Sequence, residues 1–493
     1  MSGETSTTTA GTSIRRQDAI GPRLLSEHEK QIEKKLVHKI DRLILPLIAL
    51  SFFLSWIDRS NYGSARLQNL EEDLNMSGSM YQAGFSVFYI GFILFQIPSN
   101  MLLNHFGRPS LHIGLAVLAW GIVTISTAAV HNYGGIIACR IALGCVEAHQ
   151  YPGMLFYLSK WYKTTEYTLR LSLCFAAGLV ANAFGPLIAA GISSGLDGAR
   201  GLSAWRWLYL IEGAVSICGG ILIIALLPDF PHNWSRVSPE MKEVAIRRLT
   251  LDGSKTDVDE ADMSLTQGLR LALVDKKLYI MAIINICIAS SIGVGNFFPT
   301  LAATLGYSHI ISLLLVAPPY MFAAIATCIH SYLSDRTEHR FWYMMYPVPL
   351  VLAGFAIFMF VDTLGVRYFS MFLMLFIFCI NNTISAWVAT SISRPPAKRA
   401  AAYGFFSMVA NCAQVWTPFT YRNQDAPHFR LALGILIGLM VTAAALSVWL
   451  RAILVRENRE LDELDRGRLA RAESRSGEEM VVPKEVPSFR YIV

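Results

Sequence analysis

Apolar residues along this chain gather into long, nearly uninterrupted runs rather than the one-sided stripe of a helix lying on a soluble core. A helix that crosses a bilayer takes roughly 20 mostly apolar residues. That rule predicts spans over residues 43–64, 80–104, 111–129, 134–158, 170–193 and 205–227, then 278–301, 309–332, 341–361, 367–392, 400–421 and 429–450. The predicted fold is an all-α membrane protein of twelve transmembrane helices in two six-helix bundles, residues 41–227 and 278–453. A cytoplasmic tail (1–40), a cytoplasmic central loop (228–277) and a cytoplasmic C-terminal tail (454–493) complete the layout. The first apolar run starts some forty residues in, behind a charged stretch, so it reads as a span and not as a cleaved signal. Residues 1–13, rich in Ser, Thr and Gly, are expected to be disordered. Residues 24–42 and 456–475 mix charges at helical spacing and are expected to form interfacial helices. In the central loop, Ser238-Pro239-Glu240 predicts a helix start leading into Met241–Leu251, in a segment too short to build its own domain.

The distribution of charge sharpens this layout. Of 493 residues, 53% are hydrophobic and 16% charged, against roughly 25% charged in soluble domains. Residues 1–42, 228–277 and 451–493 hold 49 of the 78 Asp, Glu, Lys and Arg, leaving 29 in the other 358 positions. A soluble enzyme would need charge over all its surfaces, so that class is excluded. With the N-terminus inside, 34 Lys and Arg fall on the cytoplasmic side and 7 on the other, which predicts that both termini are cytoplasmic. The net charge of +6 is therefore read as a topology signal and not as a nucleic-acid surface. All eight cysteines lie in apolar stretches without a CxxC pair, and no metal or cofactor is expected. No Walker A loop, HExxH or GxSxG is present, which argues against an enzyme and against an ATP-driven pump. The sequon Asn75-Met76-Ser77 falls on the predicted outer side; Asn233-Trp234-Ser235 falls on the cytoplasmic side.

Ionisable residues inside spans are the informative exceptions, since each costs about 2.5–3.5 kcal/mol at the bilayer centre on insertion scales. Asp58-Arg59 lies late in the first span, Arg140 early in the fourth, and Glu147 seven residues later on the same helix face, about 10 Å along. One reading is a cavity of titratable acids and arginines, in which an anion that engages an arginine removes the counter-charge of a neighbouring acid and favours its protonation. The other is that these groups pair and hold helices one and four together. Asn381, Asn382, Ser385, Trp387, Asn411 and Gln414, in the second-half spans, are weaker substrate-contact candidates, with interhelical hydrogen bonding as the alternative. In the cytoplasmic turns, Arg108 and the Asp335-Arg336 pair with Arg340 are candidates for a gate latch, or else plain positive-inside charge.

Several stretches together resemble a known family: Lys39-Ile40-Asp41-Arg42-Leu43, Trp56-Ile57-Asp58-Arg59-Ser60-Asn61-Tyr62-Gly63, Arg140 through Gly144 to Glu147-Ala148, and Tyr151-Pro152-Gly153. Trp205-Arg206-Trp207 with Ile211-Glu212-Gly213, Leu227-Pro228-Asp229, Ser334-Asp335-Arg336 and Pro395-Pro396-Ala397-Lys398-Arg399 extend the likeness over residues 36–466. The chain resembles a major facilitator superfamily transporter, specifically the fungal anion:cation symporter branch that includes allantoate permease-like proteins. The resemblance implies uptake of a small organic anion, a carboxylate or vitamin-like compound, together with protons, by a monomer in the plasma membrane. It assigns proton coupling to Asp58 and Glu147 and anion contact chiefly to Arg59, with Arg140 beside it. The superfamily's first cytoplasmic turn usually carries an Asp and more arginines. Here Arg108 stands with His105 alone, so Asp335-Arg336 is the stronger gate candidate. Proton-antiport export of a metabolite or drug uses the same kinds of group and stays open. A non-transporting nutrient receptor is the alternative of another class, and the short tails count against it.

Overall fold

A computed structural model describes residues 26–475, apart from 107, 232, 235–236, 255–264, 338 and 393–395. The first helix, α1 (Glu27–Arg66), runs unbroken for 40 residues, so the expected interfacial helix and the first span are one rod. A capping box starts it: Glu29 N–H donates to Ser26 Oγ at 3.3 Å, and Ser26 N–H donates to the Glu29 carboxylate at 2.7 Å. A four-residue turn of helix, α2 (Leu70–Asp73), leads to α3 (Gly78–Phe106) and α4 (Pro109–Ala128). Next come α5 (Tyr133–Glu147), α6 (Gln150–Ser159), α7 (Thr164–Gly195) and α8 (Ala204–Leu226). The central loop holds α9 (Pro239–Ser254), where a helix is expected, and α10 (Leu265–Val274), where none is. The second half runs through α11 (Lys276–Ile292), α12 (Phe298–Ala303), α13 (His309–Thr337), α14 (Arg340–Met345) and α15 (Pro347–Phe360). It ends with α16 (Leu364–Met374), α17 (Ile377–Ser391), α18 (Pro396–Trp416) and α19 (Arg430–Arg475), the last joining the twelfth expected span to the tail helix.

Among the described residues, ten helical stretches are long and apolar enough to cross a membrane. The expected spans 134–158 and 400–421 are the two outside that set. The first is interrupted between α5 and α6 at Ala148-His149. Proline 152 has no N–H to give the carbonyl of residue 148, which is where the helix breaks. The second covers most of α18 and runs on into the 3₁₀ turn Thr417–Thr420; Asn411 and Gln414, with Lys398 and Arg399 just ahead of it, lower the hydropathy of α18. A second break follows the same rule. Pro299 withholds an N–H from Gly295, the chain passes through a 3₁₀ turn at Gly293–Phe297, and the Tyr320 hydroxyl donates to the Gly295 carbonyl at 3.3 Å.

Packing in the first half depends on glycine. A Cβ on Gly213 of α8 would sit 2.9 Å from the Gly121 carbonyl of α4, and one on Gly121 would sit 3.0 Å from the Gly213 carbonyl. Gly114 and Gly220 repeat the arrangement seven residues away on each helix, at 3.1 and 3.0 Å. The two antiparallel helices therefore touch backbone to backbone, as small-residue interfaces in membranes do. At the base of α1, ion pairs bind α9 and the start of α7. Arg248 of α9 is buried and donates to Glu166, Arg247 pairs with Glu29, and Arg170 grips Asp41 with bonds of 2.7 and 2.6 Å. Burial pushes the Tyr162 phenol beside Asp41 above its ordinary value, so it stays a neutral hydroxyl.

Candidate functional site

A small cleft of about 60 Å³ lies between the two halves of the chain. Trp56, Arg59 and Ser60 of α1, Tyr89 of α3, and Asn182 and Pro186 of α7 form one wall. Ile292, Gly295, Asn296 and Pro299, with Val316 and Tyr320 of α13, Phe378 of α17 and Gln414 of α18, form the other. The halves meet firmly beside the C-terminal end of α1. There Arg66 donates to Asn423 Oδ1 at 2.6 Å, Gln82 to the Tyr421 carbonyl, and Ser86 to the Val415 carbonyl at 2.7 Å. Phe297 stacks on Tyr421 at 4.2 Å and meets Phe85 at 5.3 Å, closing that end with aromatic rings. Toward the opposite end, the Tyr151 and Tyr403 hydroxyls bond across the halves at 2.9 Å.

Arg59 is the charged group on the cavity wall. Its Nε donates to Glu147 Oε2 at 2.9 Å, and its guanidinium lies over the rings of Phe92 and Phe88, 4.9 and 5.4 Å from their centroids. Glu147 is fully buried at the last position of α5, directly before the helix break, and its Oε2 also accepts from Ser55 at 3.1 Å. Asp58 points to the other side of α1, buried against α4, where Thr124 Oγ1 donates to its Oδ1 at 3.3 Å. Arg140 is buried, with its Nε donating to the Gly84 carbonyl at 3.2 Å and its guanidinium 4.3 Å from the Tyr62 ring centroid. Among the described residues it makes no ion pair. The four charges lie around residues 55–62, in the C-terminal third of α1, in three arrangements: one ion pair facing the cavity, one acid behind it, and one arginine on aromatic rings.

Gln414 lines the cavity, donating to the Ala289 carbonyl at 2.7 Å and accepting from Asn296 at 3.2 Å. Asn381 and Asn411 are half-buried and do not line the cleft, and Trp387 is fully buried with its ring 6.4 Å from Phe341. Of the gate candidates, Arg108 and Arg336 are exposed, and Arg340 donates to Ser334 Oγ at 3.0 Å. The Asp335 side chain lies outside the described residues. The structure adds groups that the sequence reading leaves without a role: Asn182, Asn296, Tyr89 and Tyr320 on the wall, and Glu212 of α8, buried with Asn61 donating to its Oε2. Glu212 carried a usable signal, because the cost of an acid inside an apolar span applies to it as it does to Glu147.

This arrangement of helices around a cleft between halves meets a matching family pattern. The pattern described as Major Facilitator Superfamily matches residues 48–418. The chain belongs to the Major Facilitator Superfamily. This transporter is 32% identical over 476 residues to the MFS-type transporter cnsO of Penicillium expansum, covering 93% of this chain and 90% of that protein. It is 30% identical over 450 residues to the major facilitator-type transporter hxnP of Emericella nidulans, covering 88% of each. Among solved structures it is similar to a D-xylose-proton symporter, with a TM-score of 0.65 at 14% identity over 83% of this chain and 96% of that one. That likeness shows the fold alone. The transporter is a multi-pass integral membrane protein of a family that moves small molecules and is not an enzyme class.

Proposed function

We propose that this transporter carries a small organic anion, a carboxylate or vitamin-like compound, together with protons by alternating access, as in the fungal anion:cation symporter branch. In this reading the chain is a plasma-membrane monomer of twelve spans with both termini cytoplasmic, α5 with α6 and α18 supplying the spans that hydropathy alone leaves out. The observation that carries the reading is the Arg59–Glu147 pair, with the guanidinium on the cavity wall and its carboxylate sealed behind it. A substrate carboxylate entering the cleft offers Arg59 an equivalent charge-assisted bond. Glu147, displaced from its cation in a low-dielectric setting, is then held most favourably as the neutral acid, since an unpaired buried charge costs several kcal/mol. Anion binding and proton binding become one event at one pair of side chains. Asp58 is the second coupling acid, Arg140 fixes the positive field behind the cleft, and Gln414 with Asn296 offers amides to the uncharged part of the substrate. Arg340, Asp335 and Arg336 form the cytoplasmic latch, with Arg108 as the first-half counterpart.

The test is an uptake screen of labelled organic acids, nicotinate and pantothenate among them, in permease-deficient yeast at two external pH values, with surface expression measured alongside. Acid outside should stimulate uptake of at least one acid. Glu147→Gln should lose concentrative uptake of it while keeping exchange across a membrane without a proton gradient. Accumulation by Glu147→Gln equal to wild type would overturn the coupling role, and faster loss of preloaded acid from expressing cells would indicate export.

A further inference from the structure

We propose that Glu212 is a further proton-binding acid that shares with Asp58, across one face of α1, the proton Asp58 contributes, so that each anion travels with one proton more than Glu147 alone supplies. The proposal rests on the symport reading. The Asp58–Glu212 pair does not line the cleft, although Asp58 lies near the Arg59–Glu147 pair. Asp58 and Asn61 are three residues apart and therefore neighbours on one face of α1; Asn61 donates its amide to Glu212 Oε2, and Thr124 donates to Asp58 Oδ1. Glu212 Oε1 and Asp58 Oδ2 are buried without a hydrogen-bond partner.

The balance of charge in this region points the same way. Arg59 is committed to Glu147, so the Arg140 guanidinium, bound through Nε to the Gly84 carbonyl and lying over Tyr62, is the one cation left for two acids. A buried carboxylate without a cation is expensive, and the count balances when the Asp58–Glu212 pair holds one proton between its members. Among the described residues, no cation other than Arg140 and the Glu147-bound Arg59 faces this pair. On α8, Tyr209 precedes Glu212 and Arg206 is bound to the Ala128 carbonyl. Between residues 109 and 128, α4 offers His112 alone, twelve residues from Thr124 or about 18 Å along the helix. Residues 173–195 of α7 carry no charged side chain. On α1 and α5 the charged groups facing Asp58 are Arg59, Arg140 and Glu147, and the charged group facing Glu212 is Asp58 itself.

Two measurements test this on the full-length protein in liposomes. The first follows the infrared C=O stretch of protonated carboxyls over a pH titration, with no substrate, in wild type, Glu212→Gln, Glu212→Asp and Asp58→Asn. Glu212→Gln should lose one carboxyl contribution and shift the midpoint of the Asp58 band, Asp58→Asn should shift that of Glu212, and Glu212→Asp should restore the lost band. The second uses a trapped pH dye to measure protons taken up per labelled acid, with the acid found in the uptake screen. The ratio should fall by one in Glu212→Gln while exchange without a gradient continues. A Glu212→Gln protein with the wild-type titration and the wild-type ratio overturns this inference and leaves the Glu147 reading standing. A wild-type protein whose uptake ignores pH defeats the symport reading itself, whatever the infrared result.

Discussion

The backbone contact between α4 and α8 makes a quantitative prediction for Gly213→Ala. The added methyl would lie 2.8 Å from the Ile125 nitrogen and 2.9 Å from the Gly121 oxygen, where ordinary contact begins at 3.4 Å. Both obstacles are main-chain atoms of a helix and cannot rotate aside, so the helices must part by about half an ångström. Overpacking of this kind costs about 1–3 kcal/mol, and the gain from replacing glycine by alanine inside a helix returns at most about 1 kcal/mol. A net loss of about 1–2 kcal/mol is expected. Gly191→Ala, whose new methyl meets nothing within 4 Å, should be neutral or slightly stabilising. A thermal scan with a thiol-reactive dye reads this directly, because Cys174, Cys287 and Cys379 are buried and report unfolding, while exposed Cys218, Cys328 and Cys412 set the baseline. Adding Gly121→Ala to Gly213→Ala should cost less than the sum of the two, since the first methyl has already separated the helices. Equal midpoints for Gly213→Ala and Gly191→Ala, or strict additivity in the double variant, would refute the argument.

Two further outcomes are expected. Removing the hydroxyl in Tyr151→Phe deletes the bond to Tyr403, worth about 1 kcal/mol, so alkylation of a Ser60→Cys probe in the cleft should quicken about fivefold with Cys218, Cys328 and Cys412 replaced by serine; an unchanged rate would show that this contact does not hold the halves together. Exposed Glu72 and Glu243 lie on opposite sides in the proposed topology, so an impermeant maleimide should label Glu72→Cys on intact cells and Glu243→Cys after permeabilisation, and the reverse pattern would invert the assigned orientation.

Hydrophobic run length located the helices well because it measures what every span shares. It missed where they break. Pro152 and Pro299 each free a carbonyl four residues back, and whether the helix bends there or continues depends on what receives that carbonyl; for Gly295 the receiver is Tyr320, a turn of another helix that no local window contains. The cost of burying charge singled out Asp58, Arg59, Arg140 and Glu147, and all four lie around the C-terminal third of α1. It did not distinguish the one that faces the cleft from those that face other helices, because adjacent residues such as Asp58 and Arg59 point in directions fixed by the rotation of α1 against its neighbours. Gln414 lines the cleft while Asn411, one helical turn earlier, does not, for the same reason. Aromatic wall residues such as Tyr89 and Tyr320 give no signal at all in an apolar run, since their hydroxyls are revealed as useful only by what stands opposite them.

The cavity is lopsided. Its charged lining residue, Arg59, belongs to the first half, and the opposite wall presents amides, a phenol and hydrocarbon. In the symport reading proposed above, energy input falls to the first half and molecular discrimination largely to the second. On that reading, exchange of Asn296, Tyr320, Phe378 or Gln414, which line the second-half wall, should retune which cargo is accepted without altering the charges proposed to answer to the proton gradient. A lineage built on this plan is free to diversify its cargo by drift in the second half alone, and a chimera that keeps residues 41–227 and borrows its second half from a relative should inherit the relative's substrate together with this protein's response to pH.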